Sequence, residues 1–443
     1  MDLLIRNGLI INADGEIQGD ILCKNGKIDQ IGQNIKTDSF EGKVLDADGF
    51  YIFPGGIDPH VHLHLPTPAG FSADDFASGS KAALAGGTTS LIDFVTPKKG
   101  QSIIDALHQR RKEASNSLCD VKFHVSPVEW NQNTEQEIIH CIKEEGIKSF
   151  KVYMAYQSSI GLSDEDIFKV MKVVGKHDGI VTMHCEVDEE VEKLRHQFIS
   201  EGKSSPKYHP LSRPNEVEAS AVKKAINLAE KAECPLYIVH VSTKEALNHI
   251  KKAQDKDQPV YAETCPQYLL LDDSVYDQPF NESCKYVMSP PLRKKEDQEA
   301  LWKAIKEDVI QTIGADHCPF TLEQKKTGIN DFTKIPNGAG GIEHRLNLLY
   351  TYGVLQNRIS PEKFAEITST NPAKIFGFIN KGEIKEGYDA DLVIWDHIAK
   401  ENISAKTHHS NCNLNIYEGF KITGKPRYTL VKGKIKYKAG DMK

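Results

Sequence analysis

Two histidines two positions apart, His60 and His62, follow the apolar run Tyr51-Ile52-Phe53 in the stretch Gly55-Gly56-Ile57-Asp58-Pro59-His60-Val61-His62. On a strand, alternate side chains leave the same face, so both imidazoles can reach one metal ion. The glycine pair lets the backbone turn tightly into that strand. Further polar residues end or interrupt apolar runs downstream. Lys151 lies in Ser149-Phe150-Lys151-Val152-Tyr153, His184 closes Ile180-Val181-Thr182-Met183-His184, His240 closes Leu236-Tyr237-Ile238-Val239-His240, and Asp316 follows Thr312-Ile313-Gly314-Ala315. Any one such histidine is commonly a hydrogen-bonded core residue, but the pattern recurs at five separate strand ends. Leaving these groups buried without partners would cost on the order of several kcal/mol, which metal coordination offsets.

Lys151 admits two readings. An ammonium cannot ligate a cation, and a salt-bridging lysine is the plain alternative. On a buried strand beside metal ions its proton is disfavoured, and the neutral amine can add carbon dioxide to become a carbamate. A carbamate is a bridging carboxylate, able to be shared by two cations about 3.5–4 Å apart.

The elements that position these groups follow from periodicity. Between about residues 53 and 379, apolar strand-like runs at 57–63, 88–95, 121–126, 149–154, 180–184, 236–241, 260–264 and 312–315 alternate with amphipathic helical stretches at 74–85, 103–114, 135–145, 164–176, 216–232 and 296–307. Eight such strands predict a (β/α)8 TIM-like barrel, whose catalytic groups belong at the C-terminal strand ends. Residues 1–52 and 380–443 contain short β-rich runs, with Asn-Gly or Asp-Gly turns expected at 7–8, 14–15, 25–26 and 48–49. The N-terminal runs read as a small antiparallel unit, and together the termini are expected to form one smaller β-sandwich domain.

The 443 residues suffice for such a barrel and a second domain. A formal charge of −7 gives no basic field for phosphate backbones, so nucleic acid is not an expected partner. No run of about 18 apolar residues suggests a membrane span, and the N-terminus lacks a signal-peptide pattern, so the expected location is cytoplasmic. The nine cysteines are scattered without a Cys-x-x-Cys pair, which argues against a disulfide framework or a zinc knuckle. Asn281-Glu282-Ser283 and Asn402-Ile403-Ser404 match the glycosylation pattern by chance on this reading.

Taken together, these residues resemble the dihydropyrimidinase and D-hydantoinase group of cyclic amidohydrolases, within the metal-dependent amidohydrolase superfamily. The likeness runs nearly end to end. It includes residues 55–62 and 149–156, Tyr208-His209-Pro210-Leu211-Ser212-Arg213-Pro214, Glu263-Thr264-Cys265-Pro266-Gln267-Tyr268, residues 286–293, Asp316-His317-Cys318-Pro319-Phe320, residues 332–338, Asn371-Pro372-Ala373-Lys374 and residues 404–409. The resemblance implies a pair of divalent ions, most simply zinc. His60, His62 and Asp316 hold one, His184 and His240 the other, and carbamylated Lys151 (N6-carboxylysine) bridges them. It also implies that Tyr156 donates to the developing oxyanion and that the main chain at Ser289 and Asn337 holds the ring amide. Asp316 would act as general base and then general acid. The implied reaction opens dihydropyrimidines or 5-substituted hydantoins to N-carbamoyl amino acids, in a homo-oligomer that is a tetramer or a dimer.

Three stretches beside the implied site depart from the group's pattern: Leu63-His64-Leu65-Pro66-Thr67-Pro68-Ala69-Gly70-Phe71, Cys185-Glu186-Val187-Asp188, and Gly338-Ala339-Gly340-Gly341. They bear on the ring substituent rather than on the reaction. The C-terminal tail that many relatives use in subunit packing is nearly absent after Lys443. His64 and His317 stay outside the ligand set and are read as structural histidines. Other ring openers, allantoinase or dihydroorotase, are the enzymatic alternatives, although no cationic clamp for a dihydroorotate carboxylate is evident. A non-enzymatic scaffold like the collapsin response mediator proteins is disfavoured because all six ligand positions are filled.

Overall fold

The protein is described by a computed structural model covering residues 2–36 and 40–440. The expected tail end, residues 441–443, lies outside the described residues. Eight strands, β1 (Gly56–Val61), β2 (Thr88–Val95), β3 (Asp120–Val125), β4 (Ser149–Tyr153), β5 (Ile180–His184), β6 (Leu236–Ile238), β7 (Val260–Thr264) and β8 (Thr312–Ile313), lie side by side in chain order. Every neighbouring pair is parallel. A parallel bridge between Val61 and His317 joins the first strand to the end of the last. This is the expected (β/α)8 barrel. Every residue of β1, β2, β4 and β5 is buried, as strands require when one face fills the barrel and the other meets helices.

Outer helices fall where the apolar stripes predict them, among them Phe76–Ala85, Ile103–Glu113 and Asp164–Lys176, and a further one, Lys244–Gln254, lies outside the expected stretches. Asp75, Ser102, Ser163 and Thr243 start them, each side chain accepting from a backbone N–H of the first turn. The helix Asp188–Ser200 was not expected. Only Val191 on it is buried, so it offers no apolar stripe to read. No helix among the described residues is long and apolar enough to cross a membrane.

Strands from both termini form a separate eight-stranded sheet. Tyr51–Pro54 pairs antiparallel with the start of Leu392–Asn402, and this pairing joins the two ends of the chain. Leu3, Ile5, Ile10, Ile21, Leu392 and Leu430 belong to the core of this sheet. The sheet is mixed and not purely antiparallel, because Leu3–Asn12 runs parallel to Lys43–Asp46 and to Tyr51–Pro54. The expected turn at Asn7-Gly8 is absent. Asn7 sits inside the strand Leu3–Asn12 at φ 60°, the register slips between Ile5 and Gly8, and the Asn7 N–H donates to Asp20 Oδ1 at 3.0 Å. A residue that favours left-handed backbone thus makes a bulge, because the neighbouring strand supplies an acceptor.

Candidate active site

At the C-terminal end of the barrel the sequence candidates come together around one cavity of about 1220 Å³, lined by His60, His62, Lys151, Tyr156, His184, His240, Ser289, Asp316 and Asn337. His60 and His62 leave the end of β1 toward Asp316, whose Oδ1 is 3.3 Å from Nε2 of each. Ligand atoms of these three residues all lie within 4.8 Å of one another. His184, at the end of β5, and His240, just past β6, meet across the cavity floor with His184 Nδ1 3.0 Å from His240 Nε2. Lys151, in the middle of β4, is 1% exposed.

Which imidazole nitrogens face the cavity is decided by carboxylates behind them. His60 Nδ1 donates to Glu263 Oε1 at 2.7 Å, and the same oxygen accepts from the His240 backbone N–H at 3.0 Å. His60 Nε2 is therefore a lone pair, and it faces the Asp316 carboxylate. His184 Nε2 donates to Glu186 Oε2 at 2.8 Å, which leaves its Nδ1 lone pair pointing at His240. Acceptors that converge in this way repel one another unless a cation lies between them, so the donor set fits divalent metal. Nitrogen and carboxylate donors of this kind suit zinc or a similar first-row ion.

The charges follow the same logic. Burial raises the Glu263 carboxyl to about 7 and pulls the Lys151 ammonium down to about 8. Lys151 Nζ makes no ion pair among the described residues; its close neighbours are the rings of Tyr153 at 5.0 Å and Phe94 at 5.2 Å. The salt-bridge reading of Lys151 therefore finds no partner.

Several residues that brace the site were not singled out from sequence. Asp58 accepts from the backbone N–H groups of His60 (3.1 Å) and Ala315 (3.0 Å), tying the end of β1 to the segment that carries Asp316. Glu186 receives His184 and is paired with buried Arg213 at 2.5 Å. Glu263 interrupts the apolar strand β7, so the rule that found Lys151 also applied to it. Gly314 allows the close approach here, since a Cβ would lie 2.7 Å from Glu263 Oε2. Tyr156, His240 and Asp316 have φ values of 62°, 39° and 49°, a left-handed backbone that non-glycine residues adopt at a cost and that clusters at functional sites.

The unusual stretches also have roles. Pro66–Thr67 and Gly70–Phe71 pair as a small hairpin at the cavity mouth, where the His64 ring stacks on Phe71 with centroids 4.0 Å apart. Asp188 Oδ1 accepts from the Tyr156 N–H at 2.6 Å. His317 is satisfied structurally: Nε2 donates to Asp74 at 3.0 Å, and Nδ1 accepts from the Gly341 and Ile342 N–H groups.

Comparison with known proteins fits this geometry. The amidohydrolase family model matches residues 51–436. A D-hydantoinase of Geobacillus stearothermophilus is 42% identical over 438 residues, covering 98% of this chain and 93% of that protein. A D-hydantoinase of Rhizobium radiobacter is 40% identical over 438 residues, covering 98% and 95%. The crystal structure of a dihydropyrimidinase from Brevibacillus agri superposes with a TM-score of 0.97 at 40% identity, covering 99% of this chain and 95% of that one.

Proposed function

We propose, from the premise that this chain belongs to the amidohydrolase family, that it hydrolyses the ring amide of small cyclic amides such as dihydropyrimidines and 5-substituted hydantoins. The observation that carries this reading is the convergence of imidazole lone pairs on the Asp316 carboxylate, beside a buried unpaired lysine and in a cavity large enough for a ring. His60, His62 and Asp316 would hold one divalent ion and His184 and His240 a second, with Lys151 as the carbamate between them; zinc is the ion proposed. Bound there, the ions would polarise the amide carbonyl and acidify water.

The chain's own groups account for the rest. The main chain at Ser289 and Asn337 orients the ring amide. Asp316 takes the proton of the attacking water and returns it to the departing ring nitrogen, so the carbonyl carbon gains hydroxyl as the C–N bond breaks. The Tyr156 hydroxyl, raised by burial and therefore still protonated, donates to the oxyanion that develops. The product is an N-carbamoyl amino acid.

A turnover panel of dihydrouracil, dihydrothymine, 5-substituted hydantoins, allantoin and dihydroorotate tests this. Dihydrouracil or a hydantoin should be turned over fastest, because the similar proteins are D-hydantoinases and a dihydropyrimidinase. A preference for dihydroorotate would overturn the assignment. A homo-oligomer, most simply a tetramer, belongs to the same proposal because closed symmetric assemblies are common. Light scattering at micromolar concentration should return a multiple of the chain mass, and a single-chain mass would refute it.

A further inference from the structure

Lys325 ends the short helix Leu322–Lys325 in a charged stretch, Glu323-Gln324-Lys325-Lys326, that reads as solvated surface. Its side chain is instead 1% exposed. Nζ donates to three main-chain carbonyls: Val287 at 2.9 Å, Pro336 at 2.6 Å and Gly338 at 2.8 Å. Among the described residues no carboxylate pairs with it. An ammonium has three N–H groups, so all of them are used, and its tetrahedral geometry allows them to point at three separate acceptors. A buried cation without a counter-ion is expensive, and the carbonyl dipoles are the compensation present here.

The carbonyls belong to two segments that bear on the cavity. Val287 lies two residues before Ser289, and Pro336 and Gly338 flank Asn337. Val287 O also accepts from the Gly338 N–H at 3.0 Å, so the segments meet at the point that Lys325 holds. Gly338 adopts φ 139°, and a Cβ there would fall 2.4 Å from Cys318 O. The chain at Gly338 therefore runs so close to Cys318 that only a glycine fits there. Asn337 Oδ1 is buried with no hydrogen-bond partner among the described residues, and both Asn337 and Ser289 line the cavity. An unspent polar atom in the cavity lining marks a surface shaped for a polar ligand.

We infer that Lys325 is a positioning residue, whose ammonium fixes the spacing between the 287–289 and 336–338 segments so that both meet the ring amide of the substrate together. The inference rests on the cyclic-amide reading above. Lys325 touches no reacting atom and acts only through these two segments. Loss of the ammonium lets the segments separate, which weakens the grip on the ring while His60 and the segment that carries Asp316 keep their own supports in Asp58 and Glu263.

The test is Lys325→Met, which keeps an unbranched side chain one atom shorter but removes its donors, with Lys325→Gln, which keeps one donating group. KM and kcat for dihydrouracil and a 5-substituted hydantoin are measured alongside metal content and Tm. KM should rise roughly ten- to a hundredfold in Lys325→Met, the scale expected when positioning groups shift, with a smaller rise in Lys325→Gln. The change in kcat should be smaller than that in KM, and metal content should stay at the wild-type level. If Lys325→Met does not fold, Lys325→Gln must by itself show the KM increase. A lowered Tm with KM within twofold of wild type would make Lys325 purely structural and overturn the inference, as would a loss that follows metal content. A wild-type protein that turns over no cyclic amide would remove the functional reading and this inference with it, whereas an active wild type with an unresponsive Lys325 removes the inference alone.

Discussion

Lys151→Ala is expected to lose turnover almost completely and to retain fewer metal ions than the wild type. The side chain sits inside β4 with no ion partner, and burial has drawn its ammonium toward the neutral form that can take up carbon dioxide. Without that side chain, the two divalent ions proposed for the site would lose their common ligand and repel each other, and at least one should leave. Removal of groups that only orient a ligand typically costs 10–100-fold, so loss of a bridging ligand should exceed about a hundredfold. Arginine should not restore the activity, because a guanidinium stays protonated and forms no stable carbamate. Acetate or propionate should enter the vacated space and recover part of both metal content and turnover. Metal content by plasma emission, read beside activity, decides the matter: wild-type metal and near-normal turnover without added acid would mean that no carbamate bridges the ions.

Asp316→Asn is expected to separate binding from chemistry. The substitution keeps the size of the side chain and an oxygen that can face a cation, but removes the proton acceptor. General acid–base groups contribute about 10²–10⁴-fold, and kcat should fall by that factor, with KM changed much less. The comparison is made on protein loaded to equal metal content, because the carboxylate also faces His60 and His62 at 3.3 Å. A kcat within tenfold of wild type at equal loading would transfer the proton-shuttling role to another group.

Legibility from sequence divided along physical lines. His60 and His62 could be read because a strand has a side-chain period of two, and His184 because it closes an apolar run. The supports of these ligands were harder to see. Glu263 lies on an apolar strand just as Lys151 does, but without coordinates nothing says that its carboxylate stands behind His60 and not in front of it. Lys325 has a surface-like context, and only the folded chain shows its ammonium under three carbonyls. The positive φ values of His240 and Asp316 fall on residue types that tolerate left-handed backbone, but residue type alone does not say which copy adopts it. Asn7-Gly8 misled for the opposite reason. Its local signal for a hairpin is strong, and the decisive partner, Asp20, arrives from a different strand.

The pairing of Tyr51–Pro54 with Leu392–Asn402 also bears on how the chain leaves the ribosome. The later strand is translated roughly 340 residues after the earlier one, which at the usual rate of about 5–20 residues per second is a delay on the order of 20–70 s. Throughout that interval one edge of Tyr51–Pro54 has unpaired backbone groups, and an open edge is a template for the wrong partner, including the same segment of another nascent chain. The whole barrel is synthesised while this seam is still open. The terminal sheet therefore closes last, and the yield of native protein depends on keeping nascent chains apart until its final strands emerge.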